Sequence, residues 1–199
     1  MLDGATRRGG AMRAATLMLD TRDAAALPEL WDEVEDVSRV YHGATRVPST
    51  IYAVQKATAN VDVLHIAGHT QRQPGAGDAA IELGGHVVSW RNVARTTFTH
   101  PLVVVLAACA TLRPPQWSQS QPLSLGGGFI AAGASDVIGT YAPIADVQAR
   151  EFFRAVHEQL AAGVAPAEAV RRVQLAHIAR QGEGGGVWRS IGVITRRIP

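Results

Sequence analysis

Two segments of this 199-residue chain stop at residues that can exchange a proton. VDVLHIAGH (61–69) ends at His69, and PLVVVLAAC (101–109) ends at Cys109, the only cysteine. A thiol with an ordinary pKa of about 8.5 is a few per cent ionised at neutral pH, so it needs a base beside it to become a nucleophile. An imidazole can take that proton and later deliver it to a leaving amine. Each segment is an apolar run of strand length. If the two strands are neighbours in a parallel sheet, their C-terminal ends share the rim where such sheets bind ligands. His69 and Cys109 would then face each other as a dyad. The plainer reading of a lone cysteine in an apolar run is a small buried hydrophobe, so the rest of the chain has to decide.

The elements that would position the pair can be read from periodicity. AATLML (14–19) has the apolar run of a buried strand. Leu27 to Tyr41 forms an amphipathic helix, with Leu27, Leu30, Val34, Val37 and Tyr41 at helical spacing and Gly43 placed to end it. A second helix, Thr50 to Ala59, follows Pro48, with Ser49 as its expected N-cap. The strand 62–67 comes next, then a loop, QRQPGAGD (71–78). AIEL and HVVS, joined through Gly84-Gly85, read as a β-hairpin.

Trp90 to Thr97 is a short helix leading into the strand 102–108. TLRPPQWSQSQP (111–122) is too rich in Pro, Gln and Ser for regular structure, and a long loop beside a candidate site is a functional hint. Leu123 to Ala132 is a glycine-bearing helix and Asp136 to Thr140 a strand. Helices at Val147–Ala162 and Pro166–Ala179 precede a break at EGGG (183–186) and a last strand, Trp188 to Thr195. Strands alternating with helices predict a layered α/β domain around a mostly parallel sheet.

Bulk composition excludes several classes. Hydrophobic residues make up 47% and charged ones 18%, ordinary values for a globular domain with a real core. A net charge of +2, carried by arginine with Lys56 as the only lysine, is too mild to argue for nucleic acid. One cysteine cannot form an internal disulfide, so a reducing, cytoplasmic compartment is expected. No apolar run reaches the roughly 20 residues of a spanning helix. The start, MLDGATRRGGAMR, lacks the apolar stretch of a signal peptide, and residues 1–12 read as a flexible leader or the cut end of a longer chain. Residues 13–199 then form one domain.

Several motifs occur in one order: HIAGHT (65–70), VVVLAACAT (103–111), LGGGFIAAGASDVIGTYAPIAD (125–146), a helix pair, and WRSIGVI (188–194). Together they resemble the CHAT family of caspase-like cysteine peptidases, over roughly residues 14–199. The resemblance implies a caspase-like three-layer sandwich with a mostly parallel central sheet flanked by helices, plus a β-hairpin. It implies a cysteine endopeptidase with Cys109 as nucleophile and His69 as general base and acid. The oxyanion would be held by backbone N–H groups of Cys109 and Thr70, with no cofactor and no metal. It also implies a protein or peptide substrate, an activating partner protein, and a bacterial regulatory or defence role with cleavage of gasdermin-like or other partner proteins. The chain departs from the family pattern at Thr70, where Gly is usual, and at Ala107, where Ser is common. It also departs at Ala142-Pro143-Ile144-Ala145-Asp146, which keeps one acid of two and has no Trp.

Other residues carry less. His65 lies inside its strand with Val63 and Ala67 and reads as a hydrogen-bonded core histidine. Its spacing to His69 is that of the two histidines in some zinc motifs, but such a motif needs a helix and a third ligand. His42, His86, His100, His157 and His177 belong to no constellation and are expected at the surface or at helix ends. Asp136 and Asp146 are candidates to line a specificity pocket for a basic side chain, although Asp146 could simply cap the following helix. Trp117 either covers the site or anchors its loop. The glycines 126–128 lack a phosphate-loop context and fit close helix packing better. Two other classes stay open: a catalytically inactive interaction domain with the same fold, and a flavodoxin-like ligand binder, for which Asp20-Thr21-Arg22-Asp23 would be a poor phosphate loop.

Overall fold

The segments Val63–Ala67 and Val103–Ala107 are buried along their whole length. Apolar runs without alternation need cover on both faces, which places them at the centre of a sheet clothed by helices on each side. The computed structural model describes residues 12–18, 28–72, 79–83, 85–100, 102–114, 123–181 and 186–196. All of the leader but Met12, Gly84 of the hairpin turn, and Trp117 lie outside these residues.

Along the chain the described elements are β1 (Ala14–Met18), α1 (Pro28–Val40), β2 (Thr45–Arg46), α2 (Ile51–Thr58) and β3 (Val63–Ala67). They continue with β4 (Gln71–Arg72), β5 (Ala79–Leu83), β6 (His86–Val88), α3 (Trp90–Ala94) and β7 (Val103–Ala107). Then come α4 (Leu125–Ala131), β8 (Asp136–Thr140), α5 (Asp146–Ala161), α6 (Pro166–Gln181) and β9 (Ile191–Thr195). Six strands form one sheet in the order β2-β1-β3-β7-β8-β9. All its pairs are parallel except β8 with β9. A second, antiparallel sheet joins β4, β5 and β6.

Alternate residues of the central strands feed two separate cores. Val63, Ala67, Val103, Val105 and Ala107 pack with Val34 and Val37 of α1, Phe152, Phe153 and Val156 of α5, and Val170 of α6. Leu64, Ile66, Val104 and Leu106 face the other way, toward Val54 of α2, Val93 of α3, Phe129 of α4 and Ile81 of the hairpin. The result is the three-layer α/β sandwich with a mostly parallel sheet that the sequence predicts.

The differences from the sequence reading are local. Two-residue β2 and β4 are too short to leave a periodic signal, and β4 lies in a stretch with the composition of a loop. The N-cap of α2 is Thr50, whose Oγ1 accepts the Ala53 N–H at 3.2 Å, and not Ser49. The last segment begins as a 3-10 turn, Val187–Ser190, and becomes a strand only at Ile191.

The larger correction concerns histidines. His157 is fully buried and His177 nearly so, whereas the sequence pattern points both to the surface or to helix ends. In a chain of contacts, Tyr41 Oη lies 3.0 Å from His157 Nδ1, and His157 Nε2 lies 3.0 Å from His65 Nδ1. His65 Nε2 stands 3.3 Å from Glu33 Oε1, in ion-pair range but not aligned as a hydrogen bond. One arrangement of ring N–H groups serves all of these contacts. Tyr41 donates to His157, His157 donates to His65, and the remaining His65 N–H faces the Glu33 carboxylate. The chain ties α1 and α5 to the middle of β3 through the same face that carries Val63 and Ala67.

Burial, and then the neighbouring His65, hold the His157 pKa well below its ordinary value. The His177 pKa is also lowered, first by burial, then by Arg180, against an opposing pull from Glu151. Both groups therefore bind fewer protons folded than unfolded. Their stabilisation is present above the unfolded histidine pKa of about 6.5 and is lost as pH falls toward the depressed folded values. The urea midpoint should therefore drop as the pH is lowered from about 7.5 to about 5.5. His157→Gln should flatten that dependence, and an unchanged slope would remove His157 as its source.

The glycine run of α4 packs against α3. A Cβ at Gly128 would stand 2.7 Å from the Trp90 carbonyl oxygen and 2.9 Å from its Cα, whereas at Gly127 it would first meet the Leu123 side chain at 3.2 Å. Backbone cannot move aside as a leucine can. Gly128→Ala should therefore cost about 1–3 kcal/mol by overpacking, read from urea unfolding. Gly127→Ala should cost less, because only the Leu123 side chain has to shift, while the helix propensity alanine gains, up to about 1 kcal/mol, is common to both positions. Equal losses at the two positions would contradict this packing account.

Candidate active site

β3 and β7 are neighbours and parallel, and they end level with each other, Ala67 paired with Ala107. His69 and Cys109 each follow that last pair by two residues. Adjacent strands lie about 4.8 Å apart, so the two chain segments leave the sheet side by side on its C-terminal rim. Two hydrogen bonds extend the contact past the strand ends. The Gly68 N–H donates to the Ala107 carbonyl at 3.2 Å, and Thr70 Oγ1 donates to the Cys109 carbonyl at 2.8 Å. Gly68 has φ +143, which turns the chain outward in a conformation that side chains disfavour.

Cys109 is half-buried and His69 is exposed. The Cys109 Sγ lies 4.0 Å from the Ile144 carbonyl oxygen, so the loop from Tyr141 to Ala145 forms one wall beside the thiol. Among the described residues no hydrogen bond joins the imidazole of His69 to the thiol. Catalytic contacts in unliganded sites are often longer than hydrogen bonds and tighten around substrate.

The chain bends sharply just after Cys109. Ala110 has φ +56, a left-handed conformation that costs a non-glycine residue about 1–3 kcal/mol and must be held by its surroundings. Thr140, the fully buried last residue of β8, meets this turn. Its Oγ1 accepts the Ala110 N–H at 2.7 Å and donates to the Ala108 carbonyl at 2.8 Å. Its backbone N–H donates to Thr111 Oγ1 at 3.1 Å, and its carbonyl accepts the Leu112 N–H at 2.8 Å. Sequence reading passes over Thr140, because a β-branched residue ending a strand reads as ordinary strand chemistry. The available signal is its place at the end of the strand expected beside the cysteine strand.

The other candidates separate. His65 is fully buried in the Tyr41–His157–His65 chain and does not reach the rim. Asp136, the second specificity candidate, stands apart from the rim that carries Cys109. It opens β8 level with Val103, at the opposite edge of the sheet, and accepts a hydrogen bond from Thr195 Oγ1 at 2.9 Å. About 13 Å of strand separates it from the rim. Asp146 is the first residue of α5, while the N-cap position is Ala145, so Asp146 is not the cap. Its side chain lies outside the described part of the structure. Ala107 is buried in the core under the α1 and α5 layer, so the missing serine hydroxyl alters packing below the rim. His100 Nε2 sits 2.6 Å from the Val61 carbonyl, away from the site. Among the described residues no group of three or more His, Cys, Asp or Glu is placed to hold a metal ion.

Comparison with known proteins gives this geometry a context. Among curated proteins none matches by sequence. Among solved structures, the Saccharomyces cerevisiae separase in complex with securin is similar at TM-score 0.62 and 12% identity, over 94% of this chain and 12% of that one. The Arg-specific cysteine proteinase gingipain R is similar at TM-score 0.60 and 10% identity, over 93% of this chain and 46% of that one. A complex of the Porphyromonas gingivalis RgpB pro- and mature domains gives TM-score 0.54 at 10% identity, over 93% and 47%. This chain thus spans 12% of the separase and less than half of gingipain R, and at such low identities the likeness concerns the fold. The fold is shared with those separase and gingipain R structures, and no helix among the described residues is long and apolar enough to cross a membrane. The CHAT domain family matches residues 9–184, nearly the whole chain, and this protein belongs to that family.

Proposed function

We propose that this domain is a cysteine endopeptidase that cuts peptide bonds of a protein substrate through Cys109 and His69. The observation that carries the reading is the level ending of β3 and β7, which sets the two residues at the same step past paired Ala67 and Ala107. His69 takes the thiol proton as the sulfur attacks the scissile carbonyl carbon. The carbonyl oxygen becomes an oxyanion, held by the backbone N–H groups of Cys109 and Thr70. The intermediate collapses to a thioester as His69 delivers its proton to the leaving amine. Water, deprotonated by His69, then attacks the thioester and releases the acid product and the free thiol. No cofactor enters this sequence.

The regulatory or defence role that the family resemblance implies, with cleavage of a gasdermin-like or other partner protein after an activating signal, belongs to the same proposal. For specificity, Asp146 is the candidate acid. It follows Ile144, whose carbonyl walls the thiol, by two residues. Gingipain R, which has a similar fold, is an Arg-specific proteinase. An acid at position 146 fits a substrate with Arg or Lys before the cut.

Peptide-library cleavage by the purified protein beside Cys109→Ala tests the dyad. Cys109→Ala should lower turnover by at least about 10⁴-fold, and His69→Ala by nearly as much, because members of one catalytic unit are not additive. Circular dichroism should show both variants folded. A Cys109→Ala protein that still cleaves would overturn the nucleophile. A wild-type protein that neither cleaves nor labels with a thiol-reactive peptidyl probe would leave the inactive interaction domain as the better reading.

Asp146→Ala should reduce cleavage after Arg and Lys by about 10- to 100-fold, the loss of one charge-assisted contact. Cleavage of other peptides should be little changed. An equal loss on every peptide would assign Asp146 to the structure of α5 instead.

A further inference from the structure

We infer that Thr140 is a positioning residue for the nucleophile, one that aims the peptide groups on either side of Cys109; the inference rests on the dyad proposed above. β7 and β8 pair from Val103 with Asp136 to Val105 with Ile138. Carried two residues further, that register would set Thr140 beside Ala107. At this level the side chain of Thr140 reaches the backbone that has left the strand. Its Oγ1 donates to the Ala108 carbonyl and accepts from the Ala110 N–H, at 2.8 and 2.7 Å. The hydroxyl therefore brackets Cys109, bonding the peptide group before it and the one after it.

The consequence follows from peptide planarity. In a trans peptide the C=O and the N–H point in opposite directions. Fixing the Ala108 carbonyl on Thr140 aims the Cys109 N–H away from β8. That N–H is one of the two proposed oxyanion donors. The next peptide is pinned at both ends: its N–H on Thr140 Oγ1, and its carbonyl, that of Cys109, on Thr70 Oγ1. One threonine from β8 and one from the segment after β3 thus stretch the 109–110 peptide between them. The residue that follows, Ala110, is left-handed at φ +56. Thr140 is completely buried, so water does not stand in for its hydroxyl.

A residue that only stabilised the strand end would affect folding and nothing else. A residue that aims the oxyanion donor should spare reactions in which no oxyanion forms. Alkylation of Cys109 by iodoacetamide is such a reaction; hydrolysis of a peptide is not. The experiment compares Thr140→Val, Thr140→Ala and Thr140→Ser with wild type in the full chain. It reads kcat, KM, the Cys109 alkylation rate and the urea midpoint.

Thr140→Val should lower kcat by about 100-fold, the usual effect of losing one oxyanion donor. KM and the alkylation rate should stay within a few fold of wild type. Thr140→Ser, which keeps the hydroxyl, should restore most of kcat even where its midpoint is lowered. If Thr140→Val does not fold, the Ser and Ala pair carries the same contrast, and equal turnover in those two would overturn the inference. So would a Thr140→Val protein with wild-type kcat, or one whose alkylation rate falls in step with kcat. These outcomes separate from failure of the dyad. If Cys109→Ala is inactive while Thr140→Val is fully active, only the positioning role falls. If wild type shows no cleavage, or Cys109→Ala keeps it, the dyad and this inference fall together.

Discussion

The parallel pairing of β3 with β7 is the constraint on which everything else rests. It runs from Val63 with Val103 to Ala67 with Ala107 without a break, and both strands are buried along their length. A slip of one residue would send the whole set Val63, His65 and Ala67 to the other face of the sheet. His65 would then leave the layer holding His157 and Tyr41, and Leu64 and Ile66 would leave the layer holding Phe129. Register is therefore set by two cores at once, one on each face. The relative position of His69 and Cys109 follows from that packing, because the same short step leads from the last pair to each of them.

The buried chain from Tyr41 through His157 and His65 toward Glu33 adds a polar element to this packing. Apolar contacts set how deeply α1 and α5 sit on the sheet but tolerate small slides. A run of oriented hydrogen bonds does not, because buried polar atoms without partners are penalised. Tyr41 follows α1, His157 lies on α5, and His65 stands in the middle of β3. The chain fixes the helical layer against the strand that leads to His69. Burial holds its His157 well below the ordinary imidazole pKa.

The fold is legible because its signals are short-range. Apolar runs mark β3 and β7, helical spacing marks α1, and the segment Asp136–Thr140 matches β8 end for end. What escapes the sequence is set by partners far along the chain. His157 reads as a polar residue on an amphipathic helix, and only its pairing with His65, 92 residues away, explains its burial. Asp136 attracts attention because it flanks the right strand, but the direction of that strand puts it at the wrong rim. Sequence adjacency says which strand a residue belongs to, while chain direction in the sheet decides which edge it occupies. The positions of His69 and Cys109 are readable for that same reason, since both stand at the C-terminal ends of parallel strands. Their mutual orientation is not.

Close approach of backbones is what allows side-chain hydroxyls to govern the turn after Cys109. Thr140 and Thr111 exchange hydrogen bonds with main chain only because β8 and the segment 108–112 lie nearly in contact. A Cβ at Gly139 would stand 2.5 Å from Thr111 Oγ1, and one at Gly126 would stand 2.5 Å from Leu112 Cδ2. Gly126 also donates its N–H to the Thr111 carbonyl at 2.9 Å. Two glycines, one from β8 and one from α4, thus form the seat on which the turn rests. In the sequence they read as helix packing and as a plain strand residue. Both elements would form with alanine at these positions, but a Cβ at Gly139 would meet the Thr111 hydroxyl that accepts the Thr140 N–H, and one at Gly126 would press on the Leu112 side chain. The small residues of α4 and β8 are therefore what lets the segment 111–112, just past the thiol, pack so closely on its neighbours.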